Sequence, residues 1–193
     1  AAPNIGHAVI RNRGTIGGSL SHADPAAEWP VVAVALGATL LLRSAQGERR
    51  VAAKEFFVAL MTTALAPEEI LVEIRFPAAP ARSGSAFLEV SRRQGDFALV
   101  SVGAQLALAA DGTVADLRIA LGGVGAKPFD AGAEAKGLTG AKPGPRAFDD
   151  LGARIAARLE PNDDLHASAA YRKEVAAVLV RRALDAALAR AQA

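Results

Sequence analysis

The chain has 193 residues, 51% hydrophobic and 22% charged, which is enough for one large domain or two small ones with cores. The net charge is only +2, and basic and acidic residues are interspersed in both halves, which argues against a nucleic-acid-binding surface. The absence of cysteine excludes disulfides, thiolate catalysis and cysteine-held iron–sulfur or zinc sites in this chain. The three histidines are too far apart for a metal helix, and we expect no metal site. No apolar run is long enough to span a membrane and the first residues do not resemble a signal peptide, so we expect a cytoplasmic protein.

A glycine-rich segment near the start of the chain carries the strongest functional signal. Gly14, Gly17 and Gly18 place no side chain between backbone and ligand, and outward-pointing amides can hold an anion, so we expect a ligand-cradling loop. The Asp24-Pro25 pair then predicts the start of a helix, capped by Asp24, whose dipole faces the same ligand. The spacing matches neither GxGxxG nor a loop ending in Gly-Lys-Ser/Thr, so we expect neither a Rossmann nor a P-loop site.

Hydrophobic periodicity predicts further elements in the first half. They are a buried helix over 25–36, a hairpin with strands over 38–43 and 49–52, a short helix over 54–59 and a strand over 70–76. Alternation along the last strand predicts one face formed by Ile70, Val72, Ile74 and Phe76. Leu71 would then be an apolar residue on the opposite, polar face. That position is typical of a scattered surface leucine or of a contact to a flat ligand.

A segment rich in proline, glycine and small residues, 77–85, predicts a boundary between a domain over 1–80 and a domain over 85–193. In the second, strands over 86–91 and 100–108 and a return strand after Asp111-Gly112 predict a three-stranded antiparallel sheet. The residues expected to face inward are Val100, Val102, Ala104, Leu106, Leu108, Ala115, Leu117, Ile119 and Leu121. Helices are predicted over 148–159 and 169–189, and the second is expected to cover the sheet with Tyr171, Val175, Val178 and Leu179.

Four strings, in family order, resemble the FAD-binding medium subunits of the molybdenum hydroxylases, a family that includes carbon monoxide dehydrogenase and xanthine dehydrogenase. They are residues 10–30, 69–77 (Glu-Ile-Leu-Val-Glu-Ile-Arg-Phe-Pro), 91–100 (Ser-Arg-Arg-Gln-Gly-Asp-Phe-Ala-Leu-Val) and 168–173 (Ser-Ala-Ala-Tyr-Arg-Lys). The Thr-Ile-Gly-Gly run within the first resembles the family's second flavin-binding motif. The resemblance covers nearly the whole chain. It implies an α+β fold, with the C-terminal lobe of a two-lobed FAD-binding domain followed by an antiparallel β-sheet domain covered by helices.

The resemblance implies FAD as the cofactor and assigns residues to it. Backbone amides and hydroxyls of the glycine-rich segment would contact FAD at Gly14, Thr15, Ile16, Gly17, Gly18 and Ser19. His22 and Asp24 match loop positions that face the cofactor, and Glu28 matches an acid, usually Asp, that bonds ribityl or ribose hydroxyls. Leu71, with Ile70 beside it, would pack against the isoalloxazine ring. Arg92 and Asp96, in a charged turn, would lie beside the flavin and tune its potential.

The resemblance also implies a division of work between subunits. A large partner oxidises substrate at molybdenum, a small partner relays electrons through iron–sulfur clusters, and this subunit's FAD delivers them to an external acceptor. Family members open with a further lobe that holds the pyrophosphate on another glycine-rich loop, and nothing in residues 1–13 resembles that loop. We therefore expect a fragment that binds FAD weakly or not at all in isolation.

Two other functions stay open at this stage. The chain could be a non-catalytic assembly domain that keeps the fold and docks subunits without holding FAD, in line with Glu28 standing where the family has Asp. It could also be an unrelated nucleotide-binding domain whose glycines hold phosphate. Flavin content after a bulky substitution at Gly18 would separate the first alternative from a redox subunit.

Overall fold

The computed structural model describes residues 1–193 and has the predicted α+β architecture. The strands are β1 (Thr39–Ser44), β2 (Gly47–Ala52), β3 (Phe57–Ala59), β4 (Thr62–Thr63), β5 (Ile70–Arg75), β6 (Ser83–Ser91), β7 (Ala98–Leu108), β8 (Val114–Gly122) and β9 (Phe129–Asp130). The helices are α1 (Ala8–Arg13), α2 (Ile16–His22), α3 (Glu28–Ala35), α4 (Ala53–Phe56), α5 (Gly132–Ala135), α6 (Pro145–Arg158) and α7 (Ala169–Gln192), with short 3-10 turns at Ala2–Asn4 and Lys136–Leu138. None of these helices combines the length and hydropathy that crossing a bilayer requires.

The first half is built on an antiparallel sheet in the order β2-β1-β5. The predicted β1–β2 hairpin is present, with Ser44 opposite Gly47 at the turn. The prediction of a helix over 54–59 is wrong for residues 57–59, because α4 ends at Phe56 and the chain continues as strand β3. Phe56 and Phe57 are both buried and meet edge to face, so packing of two adjacent aromatic rings overrides the helical periodicity.

Strand β5 does not follow the predicted alternation. Its register against β1 skips Val72, which forms a bulge. A bulge adds one residue to one strand and turns the following residues to the other face. Leu71 and Ile74 consequently both pack on the core of the first half, whereas Ile70 is 64% exposed and Val72 and Phe76 are also exposed. The prediction that Leu71 lies on a polar face opposite Ile74 is wrong.

The second half contains a sheet in the order β6-β7-β8-β9, so it has four strands where three were predicted. The additional strand β9 is only two residues long and carries too little pattern to detect. A register shift next to Leu108 places Val114 in the core, and Ala115, predicted to face inward, is exposed. The other predicted inward residues of β7 and β8 are buried in the core cluster under α6 and α7.

Helix α7 covers this sheet with a different face from the one predicted. Tyr171 and Val178 are exposed, and only Leu179 and Val175 of the predicted set contact the core. The buried stripe consists of Arg172, Ala176, Leu179, Val180, Ala183, Leu184, Ala187 and Ala191. Alanine side chains let the helix lie close to the sheet. The contact face of α7 therefore consists mainly of small residues, and the largest apolar residues of the helix do not identify it.

Helix α3 joins the two halves. Every residue of β7 is buried, because α6 and α7 lie near one face of the sheet and α3 packs on the other. A Cβ atom at Gly122 would lie 2.6 Å from Val31 Cγ2, and one at Gly103 would lie 3.0 Å from the Ala35 Cβ. These glycines therefore allow α3 to approach the sheet closely. Helix α3 is apolar on nearly all sides, and a helix of this kind is expected to be buried. The structure buries it between the two halves.

We expect the stability of the first half to fall in acid through Glu69. Its carboxylate accepts hydrogen bonds from Arg49 at 2.6 and 2.7 Å and from the Ala66 amide at 2.8 Å, which lower its pKa to about 2 from an ordinary value of 4.5. A depressed carboxyl pKa contributes stability above the ordinary pKa that is lost as pH falls through the folded value. The free energy of unfolding, followed by urea denaturation between pH 4.5 and 2, should show this loss.

Glu69→Gln should remove that part of the pH dependence, and the exposed neighbour variant Glu68→Gln should keep it. An unaltered acid profile in Glu69→Gln would contradict the role assigned to this ion pair.

Candidate functional site

The glycine-rich segment is a helix start and not the predicted loop. Thr15 is the N-cap of α2, and its Oγ1 accepts a hydrogen bond from the Gly18 amide at 3.0 Å. In a helix the first-turn amides have no intrahelical acceptor, so Ile16 and Gly17 present free N–H groups at the positive end of the dipole. A Cβ atom at Gly17 would meet nothing within 4 Å. The bare backbone that the sequence predicted is present, but in helical conformation.

Helix α2, which begins in the glycine-rich segment, packs against β5, the strand that begins with Ile70 and Leu71. Gly14, Thr15, Ile16 and Gly18 are exposed, and Gly17 and Ser19 are partly exposed. Ile70 offers an exposed apolar side chain at the start of β5, whereas Leu71 is partly buried and packs against the core of the first half. Exposed backbone donors at the start of α2 and an exposed apolar residue of β5 therefore belong to two elements that pack against each other.

A cavity of about 790 Å³ lies between the two halves of the chain. Three predicted site residues, Asp24, Arg92 and Asp96, all line it. The sequence reasoning did not single out Phe97, which also lines the cavity and is 62% exposed. An exposed aromatic directly after a charged turn is a signal that could have identified it, since large apolar side chains at a cavity wall favour flat ligands.

Asp24 does not cap the helix that was predicted to begin at Pro25. Its Oδ1 accepts a hydrogen bond from the Ala26 amide at 2.8 Å and closes a turn. Helix α3 begins at Glu28, three residues after the predicted start at Pro25, with Ala27 as N-cap. The two-residue spacing is that of an Asx turn, which competes with helix capping. His22, the last residue of α2, is exposed and does not line the cavity.

Glu28 is 4% exposed and lies in the interior between the halves. Burial raises its pKa, an effect that its own backbone amide and the amino terminus oppose and the charge of Asp24 reinforces. Glu89, on β6, also has a raised pKa because of burial and the nearby charge of Glu28. The predicted contact to a sugar hydroxyl would therefore involve a carboxyl whose pKa lies above that of an exposed glutamate.

Arg172 holds the wall of the cavity in place from α7. Its guanidinium donates to the carbonyl oxygens of Leu99 and of Gly123, the latter at 3.0 Å, and to Asp164 Oδ2 at 2.6 Å. The side chain is only 7% exposed. Arg92, by contrast, is exposed and donates to His166 Nδ1 at 3.1 Å. The cavity thus has one buried structural cation and one accessible cation.

Comparison with protein families identifies two matches in tandem. Residues 1–79 match the FAD binding domain in molybdopterin dehydrogenase, and residues 85–187 match the CO dehydrogenase flavoprotein C-terminal domain. The second match alone covers more than half of the chain.

Curated relatives and solved structures agree with these matches. The 6-hydroxypseudooxynicotine dehydrogenase complex subunit alpha of Paenarthrobacter nicotinovorans is 40% identical over 100% of this chain and 65% of its own length. The carbon monoxide dehydrogenase medium chain of Hydrogenophaga pseudoflava is 35% identical over 98% and 66%. A carbon monoxide dehydrogenase structure from that organism superposes with a TM-score of 0.93 and 36% identity, covering 97% of this chain and 65% of the other. The chain thus spans about two thirds of these relatives. It belongs to the FAD-binding medium subunits of the molybdenum hydroxylase family.

Proposed function

We propose that this chain forms part of the electron-exit subunit of a molybdenum-containing hydroxylase or dehydrogenase and passes electrons from iron–sulfur clusters through FAD to an external acceptor. The observation that carries this proposal is the tandem match over 1–79 and 85–187 together with the open backbone at the start of α2. The same arrangement would be hard to explain for an assembly domain without cofactor, since nothing in docking requires bare amides next to an apolar strand.

The residues present fit FAD. The free amides of Ile16 and Gly17 and the hydroxyl of Ser19 suit phosphate or sugar oxygens, and the open space at Gly17 admits a ligand in contact with the backbone. Ile70 supplies exposed apolar surface for a ring, with Leu71 supporting the strand from the core. When bound, FAD accepts electrons singly or in pairs and so connects one-electron carriers to two-electron acceptors.

The charged turn that contains Arg92 and Asp96 fits an electrostatic role. Arg92 and Asp96 belong to the turn between β6 and β7 and line the cavity with Phe97 at its edge. Both side chains are exposed in this chain, and a flavin bound over them would exclude water and so strengthen the effect of their charges on it. We propose that this turn tunes the flavin and controls acceptor access. Asp24 is proposed to shape the cavity through its turn at 24–26, and Gly14 and His22 are proposed to contribute to the cofactor-binding surface near the two ends of α2.

The proposed partners are an iron–sulfur small subunit and a molybdenum-binding large subunit. Relatives carry names such as nicotine 6-hydroxylase medium subunit and carbon monoxide dehydrogenase medium chain, which imply small and large companions in those proteins. We also propose a cytoplasmic complex, in keeping with the absence of a bilayer-spanning helix in this chain.

Removing FAD from the assembled complex tests the proposed electron route. We expect reducing substrate to still reduce the iron–sulfur clusters, while electron transfer to the external acceptor stops and returns when FAD is added back. Cluster absorbance and acceptor reduction report the two steps separately. Undiminished acceptor reduction without flavin would contradict the proposal.

A further inference from the structure

The charged turn, residues 92–97, connects β6 to β7 and lines the cavity between the two halves. Its hydrogen bonds are local with one exception. The Ser91 hydroxyl and the Asp96 amide both donate to the Arg93 carbonyl, at 2.9 and 3.1 Å. The exception is the hydrogen bond from Arg92 Nη1 to His166 Nδ1 at 3.1 Å, which joins residues 74 positions apart. This bond ties the turn to a distant segment that lines the same cavity.

The segment that carries His166, residues 163–168 between α6 and α7, is anchored to the core. Asp164 Oδ1 accepts hydrogen bonds from the His166 and Ala167 amides at 2.8 and 2.9 Å. Its Oδ2 accepts from Arg172 at 2.6 Å, and the Arg172 side chain is only 7% exposed. The backbone at His166 is therefore fixed relative to α7, and its imidazole offers the turn a fixed acceptor.

The far end of the turn is held by packing instead. A Cβ atom at Gly95 would lie 3.1 Å from His7 Cε1 and 3.2 Å from the Gly6 carbonyl, so the turn contacts the N-terminal segment there. Gly95 also has a φ of +87°, which favours glycine. Neither contact reaches the Arg92 guanidinium. The position of that guanidinium consequently depends on His166.

The chemistry of the two groups fixes the direction of the hydrogen bond. An arginine side chain can only donate, so Nδ1 of His166 must be the acceptor. A neutral imidazole accepts at Nδ1 only when its proton is on Nε2, and a protonated imidazole has no acceptor. The contact therefore requires the neutral tautomer of His166 with its proton on Nε2.

We propose that His166 is a positioning residue: it holds the Arg92 guanidinium against the segment 163–168 and so keeps the positive charge of the turn at a fixed place on the cavity wall. Arg92 is exposed, and a free arginine side chain spreads over many rotamers. The hydrogen bond itself does not depend on the proposed function, whereas its effect on the flavin rests on that function.

Fixing this charge matters because the cavity wall carries charges of both signs. The other charged residues that line it are Asp24, Asp96, Asp164 and Arg172. Asp164 and Arg172 pair with each other, which leaves Arg92 as the accessible cation of the wall. A cation held beside a flavin favours the addition of electrons to the ring and raises its potential, and a mobile cation in water does so less.

Trypsin tests the hydrogen bond on the chain itself, because Arg92 and Arg93 are cleavage sites in an exposed turn. His166→Leu removes the acceptor, whereas His166→Asn places an oxygen near the position of Nδ1 and should keep it. We expect cleavage at the turn to be about threefold faster in His166→Leu than in the wild type and unchanged in His166→Asn. Leu165→Ala, which alters a neighbouring side chain that is 99% exposed, should also leave the rate unchanged.

Mass spectrometry of the fragments separates this local effect from unfolding, which would speed cleavage at every basic residue. Equal cleavage rates at the turn in the wild type and in His166→Leu would overturn the inference. Faster cleavage in His166→Asn that equals that of the leucine variant would overturn it as well, because the acceptor would then have no role.

Nitrogen-15 NMR of the imidazole gives a second readout that does not require a folded leucine variant. At about pH 8, where imidazole is neutral, we expect Nδ1 of His166 to be unprotonated and to show the shift of a hydrogen-bonded acceptor. Arg92→Met should remove that shift, and Arg93→Met, at the exposed neighbouring position, should keep it. The same Nδ1 resonance in the wild type and in Arg92→Met would overturn the inference.

The midpoint potential of the flavin in the assembled complex tests the positioning role. We expect a lower potential in His166→Leu, because Arg92 is no longer held in place, and the wild-type potential in His166→Asn. A lost hydrogen bond with an unmoved potential would overturn the positioning role alone. A wild-type complex without flavin would instead contradict the proposed function, while the trypsin and NMR measurements would still decide whether His166 holds Arg92.

Discussion

Gly17→Val is expected to remove FAD from the assembled protein while leaving the chain folded. The new side chain would enter the open space next to the free amides of Ile16 and Gly17, which is the space a contacting ligand requires. Loss of one or two charge-assisted hydrogen bonds predicts binding weaker by about 100-fold. Valine has a slightly better helix propensity than glycine, so the helix itself should not suffer. Flavin absorbance per chain after purification measures the effect.

Gly144→Val is the matched control for this substitution. Gly144 also has nothing within 4 Å of a Cβ atom, and it lies at the start of α6, far along the chain from the glycine-rich segment. Position 17 is a better choice than Gly18, where a Cβ atom would lie 3.0 Å from the capping Oγ1 of Thr15 and would disturb the cap as well. Normal flavin content in Gly17→Val would count against the proposed site, and flavin loss in both variants would show that the effect is not local.

Arg172→Met should cause the largest loss of stability among substitutions near the cavity. Methionine preserves most of the apolar packing but leaves the carbonyl oxygens of Leu99 and Gly123 without their donor. An unsatisfied buried carbonyl costs about 1–3 kcal/mol, and the carbonyl of Gly123 is only partly buried and costs less, so we expect a total loss of about 2–4 kcal/mol. Asp164 adds little, because it is half exposed and water can replace the lost partner. Urea unfolding of both proteins at neutral pH measures the difference.

Arg182→Met on the exposed side of α7 provides the control, and its stability should change by less than about 0.5 kcal/mol. Equal stabilities of the two variants would contradict the structural role of Arg172. Such a result would mean that water satisfies both carbonyls once the guanidinium is gone.

The main strands and helices could be predicted from the sequence because their patterns are local. Alternation and the Asp111-Gly112 turn identified β7 and β8, and the long apolar repeats identified α6 and α7. The buried face of α7 was missed because its contacts are mostly alanines, which carry little hydrophobic signal even though they decide how closely a helix can pack.

The errors at the candidate site have specific physical causes. A bulge at Val72 turned Leu71 into the core, and no residue type in the strand marks a bulge in advance. The glycines were expected to form a loop, but they lie in the first turn of α2, where Thr15 accepts a hydrogen bond from the Gly18 amide and caps the helix. The Asx turn formed by Asp24 places the start of α3 later in the chain than predicted. The burial of Glu28 could not be foreseen, since it depends on how α3 lies on the second sheet.

The most direct measurement of the central claim is the change in backbone amide NMR shifts when FAD is added to the isotope-labelled chain, at concentrations high enough to detect the weak binding expected of this chain alone. If the start of α2 holds the cofactor, the amides of Ile16 and Gly17 should move most, with smaller changes at Ile70, and the same titration of Gly17→Val should lose them. Amide changes elsewhere in the chain, with Ile16 and Gly17 unmoved at saturating FAD, would contradict it.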